Sequence, residues 1–263
     1  MKQREFLFSD PSLARAAIGS TEWFEQQRVL IASRPLVKRT YESWYRMMLG
    51  DAATVPIGSD GAILEIGSGS GYVKTVDASV ITSDIVEGHS DMVVDAHSLP
   101  FGDASLRAIL LTHVFHHIPD VSQFLEEADR VLVPGGVISM IDVARSTLAK
   151  ILFGKFHPEA YDESARQWKL DTSQPQGGAN QALSWIVFTR DRAVFEQRFP
   201  TLRIESIEPL PWLAYLVSGG VTRRNFVPNR IAPLIAAVDG ATQGWARLCA
   251  LHWHIRIRKI AAT

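Results

Sequence analysis

A single cysteine, Cys249, occurs in the 263 residues. No internal disulfide and no CxxC metal site can therefore form, and the usage fits a reducing compartment. The ordinary role of such a lone thiol is that of a small buried apolar side chain. No run of about 18 uninterrupted apolar residues is present, which excludes a membrane-spanning helix, and the opening MKQREFLFSD lacks the apolar stretch of a signal peptide. Together these absences predict a cytoplasmic protein. Neither sign of charge is in excess. With 27 Lys and Arg against 28 Asp and Glu, the net charge is −1, so no global field favours nucleic acid or an anionic membrane. No Lys-Ser/Thr follows a glycine-rich stretch, which excludes a phosphate-cradling P-loop, and no nucleophile elbow with ordered Ser, Asp and His supports hydrolysis.

What is present is enough apolar sequence, 46% of residues, for one substantial core, and residues 1–263 read as one domain with decorations. The richest stretch is ILEIGSGSG at 63–71. Ile63, Leu64 and Ile66 form the apolar run of a buried strand, Glu65 precedes the turn, and Gly67, Gly69 and Gly71 allow a ligand to approach the backbone closely. A dinucleotide fold wants G-x-G-x-x-G and an acid about 20 residues on. Here the spacing is G-x-G-x-G, and the next strand-end acid, Asp84, lies 13 residues past Gly71. Further strand patterns end at Asp95-Ala96 and at Thr112-His113, and QFLEEADRVLVPGG then leads into VISMID.

This order resembles the class I S-adenosylmethionine-dependent methyltransferases, in particular the small-molecule branch called methyltransferase type 11. EIGSGSG matches the first motif, DAHSLPF the third-strand motif, HVFHHIPD the fourth, and RVLVPGG with its following strand the fifth. The matching stretch, residues 61–142, is about a third of the chain. The resemblance implies an α/β fold with a Rossmann-like seven-stranded sheet, mostly parallel with the last strand antiparallel. It implies S-adenosyl-L-methionine as cofactor and S-adenosyl-L-homocysteine as product. By the same resemblance Glu65, Gly67, Ser68, Gly69 and Gly71 would meet the methionine part, Asp84 both ribose hydroxyls, and Asp95 with Ala96 the adenine, while Thr112 and His113 would line the place of the transferable methyl. For a hydroxyl acceptor a base is needed, and His113, Asp142 and His157 are candidates by position.

Both connections, Gly71 to Asp84 and Asp84 to Asp95, are shorter than a crossover helix normally needs. A thin wall on that side of the pocket is expected. Outside the core, residues 1–60 should form a helical cap, where Val37, Tyr41, Trp44 and Met48 recur at helical spacing before the VPIGSDG linker. Residues 143–187, aromatic and containing TSQPQGGAN, form a substrate-side insertion ahead of a helix expected near Thr189. Residues 210–245 form a second, apolar insertion with an amphipathic helix bearing Ile231, Leu234, Ile235 and Val238. It could shelter a hydrophobic acceptor or rest against a membrane surface or partner subunit. The final strand is LHWHIRIRKI, where His252 and His254 read as solvated or capping side chains.

His113, His116 and His117 have ligand-like spacing, but they follow a strand, and the resembled family uses this pair without metal, so no metal is expected. The expected activity is methyl transfer to a small or lipid-like acceptor, without nucleic acid. The place of the nucleic-acid branch's Asp/Asn-Pro-Pro-aromatic motif is taken here by Thr112-His113-Val114-Phe115. A catalytically silent binding or scaffold protein of the same fold is the alternative, and a nicotinamide-dependent oxidoreductase is disfavoured by the glycine spacing. No motif names the acceptor, the atom methylated or the oligomeric state.

Overall fold

Helices cover both faces of one seven-stranded sheet, and the cover on one face comes from the N-terminal segment rather than from crossover helices. The computed structural model describes residues 10–260, apart from 14–15, 18, 57–60, 172–177 and 226. The opening MKQREFLFS, most of the VPIGSDG linker and the first six residues of TSQPQGGAN thus lie outside the described residues.

Helix α1 is Thr21–Ser33, capped by Ser20, whose hydroxyl accepts from Trp23 N. Helix α2, Pro35–Ala53, starts with proline in its first turn, where no amide donor is lost. Strands β1 (Ala62–Ile66), β2 (Ile81–Asp84), β3 (Met92–Val93) and β4 (Leu106–Thr112) follow. Helix α3 (Val121–Val131) is capped by Asp120, and β5 (Leu132–Val143) continues directly from it. Then come α4 (Thr147–Phe156), α5 (Leu183–Trp185) extended by a π-helical turn over Ile186–Arg190, and α6 (Arg192–Arg198). Strand β6 (Leu202–Pro209), α7 (Leu213–Ser218), α8 (Ala232–Ala241), α9 (Ala246–Cys249) and β7 (His252–Lys259) complete the order.

The strand order is β3-β2-β1-β4-β5-β7-β6, with β1 to β5 paired parallel and β7 antiparallel to both neighbours. The expected sheet is therefore found. The run from β1 to β2 holds a single 3-10 turn, Tyr72–Thr75, and the run from β2 to β3 no helix. The thin wall expected there is filled by α2. Its Val37, Tyr41, Trp44, Tyr45 and Met48 pack in one buried cluster with Ile63, Ala108, Leu110, Val137 and Ile141 of the sheet. The opposite face is covered by Phe124, Leu125 and Ala128 of α3 with Ile186, Phe188 and Phe195.

Three expectations change. His252 and His254 are both buried, because β7 is an interior strand and α2 covers the face they occupy. His254 Nε2 lies 2.8 Å from Asp51 Oδ2 of α2, and Arg256 donates to Asp51 Oδ1 at 3.0 Å. The helix expected near Thr189 begins at Leu183, since the π-helical turn hides the helical period. Helix α8 is amphipathic in the opposite sense to a core helix. Ala232 is buried and Ile235 half-buried, while Ile231, Leu234 and Val238 are 44%, 65% and 42% exposed. Among the described residues no helix is long and apolar enough to cross a membrane.

Candidate cofactor and acceptor site

The glycine loop turns left-handed at three points, with φ of 63° at Gly67, 47° at Gly69 and 60° at Gly71. A side chain at Gly67 would also collide with Val114, whose Cγ2 stands 2.5 Å from where a Cβ would be. Two serines stitch the loop to β2. Ser68 N donates to Ser83 O at 2.8 Å, Ser83 N donates to Ser68 Oγ at 3.0 Å, and Ser83 Oγ donates to Glu65 O at 2.8 Å.

Within this frame Glu65 is 1% exposed, and neither of its carboxylate oxygens has a hydrogen-bond partner among the described residues. Burial pushes its pKa up to about 7, against the pull of Tyr45 and Ser68 beside it, and the Asp84 charge adds to the rise. Asp84, at the end of β2, accepts from Gly69 N at 3.0 Å and Val86 N at 3.1 Å. A carboxylate has about four acceptor positions, so two remain. His89 Nε2 lies 3.3 Å from Asp84 Oδ2, and the His89 ring stacks on Phe24 of α1. The Phe24 ring in turn sits 3.3 Å from the Cβ position of Gly69. Asp95 is exposed beyond β3 and engages His97, accepting from its backbone N at 2.9 Å with the ring Nδ1 at 2.8 Å, while Ala96 is half-buried. The backbone brings Asp95 near Asp84, since Val94 N donates to Asp84 O at 2.9 Å.

Thr112 and His113 close β4. His113 has φ 60°, a strained conformation for a non-glycine residue, fixed by its own N donating to Ile141 O at 2.9 Å. Its ring meets His252 edge-on at 4.5 Å, with Trp44 at 5.4 Å and Tyr215 at 6.3 Å. Thr112 Oγ1 and His113 Nε2 are buried without partners among the described residues. Burial lowers the His113 pKa to about 4, which keeps the imidazole neutral at neutral pH.

The other two base candidates fall in a neighbouring cluster. Asp142 Oδ1 faces His116 Nδ1 at 2.5 Å and accepts from Val143 N at 2.8 Å. Burial disfavours charge on His116, but the Asp142 and Glu159 carboxylates outweigh it and raise its pKa to about 10. His157 Nδ1 is held 2.6 Å from Gln181 Nε2, which also donates to Glu159 at 2.7 Å. Of the three candidates, only His113 presents a neutral, unpartnered nitrogen beside the carboxyl ends of β1 and β4.

Sequence reasoning missed Phe24, His89, Glu159, Tyr215 and the burial of His252, and weighed His116 only as a metal ligand. Only the His252 alternation and the HH pair carried any signal.

Residues 64–140 match the family model described as a methyltransferase domain. Over that stretch the chain is similar to methyltransferase domains. The demethylmenaquinone methyltransferase of Listeria monocytogenes is 27% identical over 106 residues, 35% of this chain and 42% of that protein. The biotin biosynthesis bifunctional protein BioHC of Cellvibrio japonicus is 31% identical over 105 residues, 34% of this chain and 21% of that protein. These matches thus span less than half of either curated relative. The fold is similar to geranyl diphosphate C-methyltransferase of Streptomyces coelicolor, solved with Mg2+, geranyl diphosphate and S-adenosyl-L-homocysteine. That likeness has a TM-score of 0.50 at 14% identity, over 96% of this chain and 89% of that one. A methyltransferase in complex with the Haloferax volcanii Trm112 activator is similar with TM-score 0.50 at 13% identity, over 92% and 96% of the two chains.

The cofactor of a class I methyltransferase domain is S-adenosylmethionine, and the residues of this chain fit it at Glu65. Two buried carboxylate oxygens without partners suit a cationic ammonium, which would supply the missing donors and favour the ionised form. The spare acceptor positions on Asp84 suit a pair of ribose hydroxyls, once the His89 and Phe24 rings shift aside.

Proposed function

We propose that this chain catalyses methyl transfer from S-adenosylmethionine to a small-molecule or lipid-like acceptor. The observation that carries the reading is the buried, unpartnered Glu65 carboxylate beneath the glycine loop. Glu65 and the backbone of Gly67, Ser68, Gly69 and Gly71 bind the methionine part, Asp84 the ribose, and Asp95 with Ala96 the adenine. Thr112 and His113 border the methyl. Ile85, 65% exposed next to Asp84, offers an apolar surface on which a purine would rest.

When bound, the cofactor supplies a methyl on an activated sulfonium, open to direct displacement. The chain's part is alignment, exclusion of water and, for a hydroxyl acceptor, removal of one proton. For a hydroxyl acceptor, the buried, neutral His113 Nε2 would take the hydroxyl proton. Holding the two reactants in line supplies several kcal/mol. The aromatic wall of Trp44, Tyr215, His252 and Phe153 suits an acceptor with a flat or apolar body. The exposed apolar residues of α8 are compatible with a lipid-like version of it. A cytoplasmic location agrees with this reading.

The Phe24–His89 stack against Asp84 and Gly69 favours a second reading, a catalytically silent binding or scaffold protein whose cofactor cleft stays closed. Thermal unfolding with S-adenosylmethionine, S-adenosylhomocysteine and NADH separates the two. A ligand at about 100 times its dissociation constant adds about 2.7 kcal/mol, a rise of several degrees for a chain of this length. A rise with both adenosyl ligands that is lost in Asp84→Ala and absent with NADH supports the enzyme. No rise with either adenosyl ligand supports the scaffold.

A further inference from the structure

We infer that His116, His117 and Glu159 form a zinc site, steadied by Asp142 and Gln181. The donor atoms of the three side chains all lie within 4.8 Å of one another. His116 Nε2 is 3.5 Å from Glu159 Oε2, and His117 Nε2 is 3.6 Å from Glu159 Oε1. Zinc bonds of about 2.1 Å at tetrahedral angles place neighbouring ligand atoms about 3.4 Å apart, so these separations need little adjustment to close around an ion.

Local structure explains how adjacent histidines can act together. Phe115–His117 is a 3-10 turn, and the two imidazoles stand with centroids 4.4 Å apart. The turn is pinned by His117 N donating to Val114 O at 2.8 Å and by Asn180 N donating to His116 O at 3.0 Å. Glu159 arrives from the segment after α4, which the sequence does not place near the pair.

Each of two ligands has a partner of the kind that orients metal-binding groups. Asp142 takes the Nδ1 side of His116 at 2.5 Å and turns Nε2 toward Glu159, so that a metal ion displacing the Nε2 proton would find the nitrogen already aimed. The Gln181 amide donates to Glu159 at 2.7 Å and fixes the carboxylate plane. Two imidazoles and a carboxylate select a transition ion such as zinc over magnesium or calcium, which prefer oxygen alone. Three protein ligands leave a fourth position open, the arrangement of catalytic rather than structural zinc sites. His117 and Glu159 are partly exposed, so an ion has a way in. The site does not depend on the methyltransferase reading.

The test uses full-length protein freed of any histidine tag, stripped with chelator and re-equilibrated with Zn2+ alone. About one zinc per chain is expected at low micromolar concentration. His117→Ala and Glu159→Gln, both at partly exposed positions, should each lose 100-fold or more in affinity, about what loss of even an orienting partner costs at the upper end. Circular dichroism confirms that they are folded. Co2+ in the same site should show the strong visible bands of four- or five-coordination. No zinc uptake overturns the inference, as does equal uptake by wild type and both variants, or a weak octahedral cobalt spectrum. Any of these leaves the cluster an ion-pair network.

Discussion

Phe24 and His89 lie stacked with ring centroids 4.3 Å apart and 23° from parallel, and together they stand against Gly69 and Asp84. The two residues come from α1 and from the β2–β3 connection, so elements from two separate parts of the chain meet over the glycine loop.

If this pair must part when the cofactor enters, Phe24→Ala should tighten S-adenosylmethionine binding about 2- to 10-fold. That is the factor corresponding to an aromatic pair worth about 0.5–1.5 kcal/mol. Titration calorimetry measures it. A weaker affinity in the variant would mean that the ring belongs to the bound pocket and is no obstacle to it.

Glu65 predicts two pH effects. In the folded chain it keeps its proton up to about pH 7, whereas its ordinary pKa is 4.5. The folded state therefore holds more protons between these values. The contribution of this group is fully present below the ordinary pKa and lost as pH rises through about 7, at most about 3 kcal/mol at 1.36 kcal/mol per unit. Melting temperatures from about pH 5 to pH 8 should fall in wild type and be flatter in Glu65→Gln. Because an ammonium favours the carboxylate, cofactor affinity should rise from about pH 6 to pH 8, with proton release visible by calorimetry in buffers of different ionisation enthalpy. Uptake of protons on binding would sink the assignment of Glu65.

His113→Asn should keep the fold, because asparagine tolerates the left-handed conformation at this position. For a hydroxyl acceptor, kcat should drop about 100-fold or more, while cofactor affinity stays within about twofold. A variant with near-normal kcat would remove His113 as the base.

Asp51→Asn should cost about 3–5 kcal/mol, since it leaves the buried His254 facing a neutral partner and takes one of two carboxylates from the partly exposed Arg256. Urea unfolding reads this directly. A loss under about 1 kcal/mol would show that α2 is held to the sheet by its apolar face alone.

The glycine loop and the acids at strand ends were legible because each is local, and the mostly parallel sheet followed from the order of the motifs through the resemblance they carry. A buried strand running into left-handed glycines has few alternatives, and the motifs follow one another along the chain. What was hidden depends on distant segments. Alternation in LHWHIRIRKI suggests one wet face, and only the placement of α2 makes that face dry. Glu159 reaches His116 and His117 through the turn of α4, and Phe24 reaches Gly69 from a helix whose register says nothing about the cleft. The short crossovers were read correctly, but their consequence was not, because the missing wall is replaced by a helix from elsewhere.

That replacement also sets an order of assembly. Asp51, in a helix made early in synthesis, pairs with Arg256, 205 residues later in the chain. The sheet face under α2 cannot be sealed until β7 has left the ribosome, so every element through β7 must be present before α2 has somewhere to settle. Such long-range closure slows folding. Refolding rates should respond to substitutions at the α2–β7 contact more than to those in the glycine loop, and the exposed apolar stripe of α2 is what chaperones would meet in the meantime.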